Sequence, residues 1–70
     1  VVRWPIVSSV VKAAGYDPER HVLEVEFPSG DVYRYVRVEP RVFHAFMTAD
    51  SKGRFFNERI REAYEGERVE

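Results

Sequence analysis

The sequence has no cysteine, which excludes a disulfide framework and any cysteine-based metal cage. No apolar run approaches the roughly 20 residues that span a bilayer, and no signal-peptide pattern opens the chain. Internal repeats, low-complexity tracts and interdomain linkers are also missing. At 70 residues there is room for one domain, and none for a nucleotide-binding fold with a substrate domain beside it. A chain this small buries only roughly 60% of its unfolded surface, so stability is marginal. The expectation is a small cytoplasmic domain with no membrane contact. Oligomeric state stays open, as does whether the chain is a fragment of a larger protein.

An excess of charge of one sign is missing as well. The net charge is −1, low for a strong nucleic-acid binder of this size. The distribution is uneven. Residues 41–61 carry Arg41, Lys52, Arg54, Arg59 and Arg61 against Asp50 and Glu58, a local +3, and residues 62–70 sum to −3. Nine cations are Arg and two are Lys. Arg suits bidentate contacts to phosphate and carboxylate. A GC-rich or thermophilic source with many surface ion pairs explains the same bias.

Apolar patterning supplies the elements. Residues 1–7, with Trp4 and Pro5, read as an arm or edge strand, because Pro is excluded from central strands. Ser8 to Tyr16 reads as a weak strand, and Asp17-Pro18-Glu19-Arg20 as a turn. In His21 to Phe27, Leu23, Val25 and Phe27 alternate with Glu24 and Glu26, the period of a half-buried strand. Pro28-Ser29-Gly30-Asp31 is a hairpin loop and Val32 to Val38 the return strand. A two- or four-residue loop puts Phe27 opposite Val32 and Tyr33 and Tyr35 on the Glu24/Glu26 face. A three-residue loop with a bulge puts Phe27 opposite Tyr33 and turns the tyrosines inward.

Pro40 is placed to open a helix through Ala49, with Val42, Phe43, Phe46 and Met47 as its buried stripe. Asp50 or Ser51 caps a second helix, from about Ser51 to Ala63, with Phe56, Ile60 and Tyr64 inward and Gly66 as its stop. The expected fold is therefore α+β: a three-stranded antiparallel meander followed by two helices packed on one face, over residues 8–66, with an acidic tail at 67–70.

Several segments together resemble one family. Tyr16-Asp17-Pro18, Leu23-Glu24-Val25-Glu26-Phe27, Ser29-Gly30, Val32-Tyr33-Arg34-Tyr35, Ala49-Asp50-Ser51-Lys52-Gly53, Phe56-Asn57, Ile60-Arg61 and Tyr64 resemble the KTSC domain in order and spacing. Its hallmark is the central Tyr-x-Tyr. The family occurs at the C-terminus of some lysyl-tRNA synthetases, as small bacterial and phage proteins, and on some phage head-morphogenesis proteins. The resemblance covers about Ser8 to Val69, with one departure at Val38-Glu39-Pro40, where the family runs Val-Pro directly. Its company on a synthetase implies an RNA context.

Candidate site residues follow from chemistry. Tyr33 and Tyr35, with Arg37 after them, form either a stacking platform for unpaired bases or part of the core. Ser51, Lys52, Gly53 and Asn57 surround a helix start, which reads as an anion site or as a plain helix corner. Lys52, Arg54, Arg59 and Arg61 form a backbone-tracking basic ridge, or an ion-paired surface through Glu58 and Glu62. His21 and His44 are the only histidines, too few for a zinc site that wants three or four ligands. Glu24 and Glu26 read as a solvated strand face rather than a catalytic pair. The expectation is a domain with no catalytic residues, metal or cofactor. It binds RNA, either tRNA or single-stranded. The competing expectation is a protein-interaction or assembly module, phage-related in one version.

Overall fold

The computed structural model describes residues 2–69; Val1 and Glu70, the outermost residues of the expected arm and tail, lie outside the described residues. Chain order is β1 (Trp4–Pro5), β2 (Ala13–Asp17), β3 (Val22–Glu26), β4 (Val32–Tyr35), α1 (Pro40–Thr48), α2 (Lys52–Phe55), a π-helical turn (Phe56–Ile60) and β5 (Gly66–Arg68). The strands form one antiparallel sheet in the order β1-β2-β3-β4-β5. The alternation in β3 decides which face is covered. Leu23 and Val25 are fully buried and pack with Ala14, Tyr35, Phe46, Phe56 and Ile60, so the helical segments lie on that face.

The opposite face carries Glu24 and Glu26. Glu24 is buried to 6% exposure, with Arg3 at 2.7 Å and Arg34 at 3.4 Å from its carboxylate. Glu26 has Arg3 at 3.8 Å and Lys12 at 3.7 Å. These carboxylates form a neutralised network away from the tyrosines.

The sheet has two more strands than the expected three. β1 is a two-residue edge strand in which Pro5 pairs opposite Ala13, and a missing N–H is tolerated at an edge. β5 pairs with β4, Gly66 opposite Tyr35 and Arg68 opposite Tyr33. Residues 66–68 are thus part of the sheet rather than a helix stop and a free acidic tail, and Val69 N–H donates to Val32 O at 2.7 Å. β2 begins at Ala13, later than the expected Ser8.

The hairpin between β3 and β4 has a three-residue loop. Phe27 N–H donates to Asp31 O and Gly30 N–H to Phe27 O, both at 2.9 Å, with Gly30 at φ +96° supplying the bulge. Tyr33 and Tyr35 therefore face inward, opposite Val25 and Leu23; Phe27 faces Asp31 rather than Tyr33.

Pro40 is the first residue of α1, which buries Phe46 completely and Val42, Phe43 and Met47 in part. Ser51, not Asp50, caps the next helix: its Oγ accepts from Arg54 N–H at 3.3 Å. The single helix expected over residues 51–63 is divided. After one turn of α-helix, Arg61 N–H reaches back five residues to Phe56 O at 2.9 Å. Phe56 and Ile60 are both fully buried and Tyr64 is half-buried.

Candidate functional site

The inward register places Phe27, Asp31, Tyr33, Tyr35, Arg61 and Gly66 around an open cleft of about 420 Å³ at the border of sheet and helix. Tyr33 and Tyr35 stack at 6.4 Å with 23° between their planes, and Phe27 meets Tyr33 edge-on at 5.5 Å. Tyr35 is 5% exposed, its ring edge-on to Phe56 at 5.6 Å. It is a core residue: of the two readings open for it, stacking platform or core, the inward register selects the core, so Tyr35 offers no free stacking face. Tyr33 is half-buried. β5 passes this close only because residue 66 is glycine: a Cβ there would lie 2.6 Å from Tyr35 Cε1. Burial pushes the Tyr35 hydroxyl pKa up; the Arg61 charge pulls it back, and Tyr33 adds to the rise.

Arg61 stands at the mouth with its guanidinium 5.4 Å from the centre of the Phe56 ring. Arg59 sits similarly over Phe55 at 5.9 Å. Among the described residues Arg59, Arg61 and Lys52 alone among the eleven cations have no salt bridge. Arg54 is held by Glu58 at 3.1 Å. The expected ridge is split: Arg54 and Arg59 line a shallow depression with Phe55 and Glu58, whereas Arg61 belongs to the tyrosine cleft.

The expected anion cradle serves as a helix corner. Lys52 Nζ donates to Ala49 O at 3.2 Å, and Ser51 Oγ is occupied as the cap. Gly53 is buried where a Cβ would lie 2.7 Å from Ser8 Oγ and 2.9 Å from Val10 Cγ2, so its role is close approach of the chain. α2 is only four residues long, and Asn57 is exposed on the π turn. Arg37 is not on the tyrosine face. β4 ends at Tyr35, and Arg37 has φ +60° and lies 3.8 Å from Glu65.

One grouping joins Arg37, expected beside the tyrosines, to residues that the sequence does not mark as a site. Arg20, His21, Arg37, Glu39, Pro40 and Arg41 line a second cleft, of about 640 Å³. His21 and Arg37 both have left-handed backbones, at φ +55° and +60°. Glycine most often marks such positions, and histidine is enriched there with asparagine and aspartate, whereas arginine gives no residue-type signal. His21 and His44 are exposed, and no group of three or more His, Cys, Asp or Glu capable of holding a metal occurs among the described residues.

Comparison with known proteins agrees with this chain of features. The KTSC domain family model matches residues 7–64. The chain belongs to the KTSC domain family. A KTSC domain protein from Yersinia pestis has the same fold, with a TM-score of 0.94 at 36% identity over 99% of this chain and 97% of that one. An uncharacterized protein from Stutzerimonas stutzeri is 52% identical over 56 residues, 80% of this chain and 79% of its own length. A lysine–tRNA ligase from Nostoc punctiforme is 35% identical over 72 residues; the match takes in 99% of this chain but 13% of the ligase. KTSC domains therefore occur both as most of a small protein and as a small part of a large one. No helix among the described residues is long and apolar enough to cross a membrane.

Proposed function

We propose that this KTSC domain is a non-catalytic accessory domain that binds unpaired RNA, tRNA or single-stranded, at the Tyr33–Arg61 cleft. Arg59, Arg54 and Lys52 track phosphates beyond it. The observation that carries the reading is Arg61: a guanidinium with no salt bridge among the described residues, beside a half-buried tyrosine in an open aromatic cleft. An unpaired base has a π-face for Tyr33, and its phosphate suits Arg61. The occurrence of a similar segment in lysine–tRNA ligases supports the same class of ligand. Tyr35 supports the platform from beneath as part of the core.

The test is fluorescence anisotropy of labelled tRNA and a short single-stranded RNA at two salt concentrations. Binding is expected to weaken as salt rises, and Arg61→Ala to lower the slope of log K against log salt by about 0.7, one single-strand phosphate contact. The Lys52, Arg54, Arg59, Arg61 quadruple Ala variant, with its fold checked by circular dichroism, is expected to lose binding. No binding at low salt overturns the reading. That result would favour a protein-interaction module, a second reading that rests on three exposed apolar side chains along the N-terminal segment, Val2, Trp4 and Val7.

A further inference from the structure

We propose that the second cleft, walled by Arg20, His21, Arg37 and Arg41, is a phosphate-binding site separate from the Tyr33–Arg61 cleft. Two chain segments converge on it: the turn after β2, and the stretch after β4 that runs into the start of α1. Val38 N–H donates to His21 O at 2.8 Å and ties the two together. Three arginines and a histidine thus line one cleft with a single acidic residue, Glu39. In a chain of net charge −1, such a cluster is not a by-product of general basicity.

The present partners of these arginines hold them loosely. Arg20 lies 4.0 Å from Asp17 and Arg37 lies 3.8 Å from Glu65, each arginine side chain 83% exposed. Arg41 is closer to Glu39, at 2.8 Å, and equally exposed. Exposed pairs of this kind are weak, and a phosphate offers more acceptor oxygens and a better match to the guanidinium fork.

The backbone adds an independent reason. His21 and Arg37 are the only non-glycine residues with positive φ among the described residues, and both line this cleft. Glycine would adopt either conformation without the Cβ penalty. Strained backbone of this kind gathers at functional sites. A ligand for both side chains accounts for the two departures together. The left-handed turn at residue 37 also takes the chain away from the line of β4, so Arg37 faces this cleft while Tyr35 faces the other.

The shared chemistry is a phosphate group, free in solution or at the 5′ end of an RNA. The experiment titrates the ¹⁵N-labelled domain with inorganic pyrophosphate, then with a short oligoribonucleotide bearing a 5′-phosphate or a 5′-hydroxyl, followed by amide chemical shifts. Pyrophosphate is expected to shift residues 20, 21, 37, 38 and 41 saturably, leaving 59–61 unmoved. Arg37→Gly is expected to weaken pyrophosphate about tenfold, the loss of one charge-assisted contact, while melting no lower than the parent. Glu39→Gln is expected to tighten it. Tighter binding of the 5′-phosphorylated RNA at this cleft identifies an RNA end as the source; equal RNA arms with retained pyrophosphate binding identify a free phosphate. Pyrophosphate does not need the Tyr33–Arg61 cleft, so failure of the RNA reading leaves this result intact. Unsaturable shifts, shifts confined to residues 52–61, or an Arg37→Gly variant that binds as tightly as the parent overturn the proposal.

Discussion

At the scale of single residues, two tyrosines that look alike in sequence have different surroundings. Tyr35 is sealed between Leu23 across the sheet, Gly66 beside it and Phe56 above, while Tyr33 keeps part of its ring at the cleft. The Tyr35 hydroxyl has a raised pKa, with burial as the main cause and Arg61 opposing it. The folded protein therefore holds this proton more tightly than the unfolded chain does. Its contribution to stability is complete below the ordinary tyrosine value near 10, and is lost as pH rises through the higher folded value. Tyr35→Phe is expected to flatten the alkaline fall in urea midpoint above about pH 10, where free tyrosine ionises. Arg61→Ala is expected to move one tyrosinate transition in the ultraviolet absorbance to still higher pH. Tyr16 also has a raised pKa, from burial and then the charges of Asp17 and Glu39, so the wild-type fall reflects both groups.

At the scale of elements, period and turn chemistry made the central strands legible, and shortness hid the outer ones. β3 alternates cleanly over Leu23 to Glu26, and Gly30 marks the hairpin bulge that selects the inward register. β1 has two residues and β5 three, too few to show a period, and Gly66 reads as a helix terminator when only its neighbours are visible. Phe56 and Ile60 are four apart, a spacing that suits an α-helix and hides the wider turn between them. The docking of β5 depends on the missing side chain at Gly66. Gly66→Ala brings a Cβ within 2.6 Å of the Tyr35 ring. It is expected to cost about 1–3 kcal/mol in urea unfolding. Hydrogen exchange should speed at the amides of Val36 and Val69, which bond to Glu65 O and Val32 O. Unchanged exchange at both would show that β5 pairs without that close contact.

At the scale of the whole molecule, the core holds an aromatic cluster with Phe56 at its hub. Its ring lies 5.4 Å from Phe27, 5.6 Å from Tyr35 and 6.4 Å from Phe46. Removing such a ring costs about 3–5 kcal/mol, against a total of roughly 0.05–0.15 kcal/mol per residue. Phe56→Ala is expected to be largely unfolded by circular dichroism at 25 °C, and Phe56→Leu to stay folded with a lower urea midpoint. The same scale explains what could be read of the candidate sites. Arg61 is visible as one of a basic run, but its place in one cleft with Tyr33 depends on the hairpin register and the fold around it. The Arg20–His21–Arg37–Arg41 cleft joins a turn and the connection into α1, two segments with no shared motif, so only the folded chain brings it together. The sheet has a further consequence. Its strands lie side by side in the order in which they occur along the chain. The first three pairings therefore close short loops, whereas the pairing of β5 with β4 closes a loop of 30 residues, 36 to 65, that holds all the helical segments. A chain with no covalent staple can assemble β1 through β4 by local steps, but β5 docks only after the helical segments have brought it back to the sheet, a non-local pairing that is expected to form late.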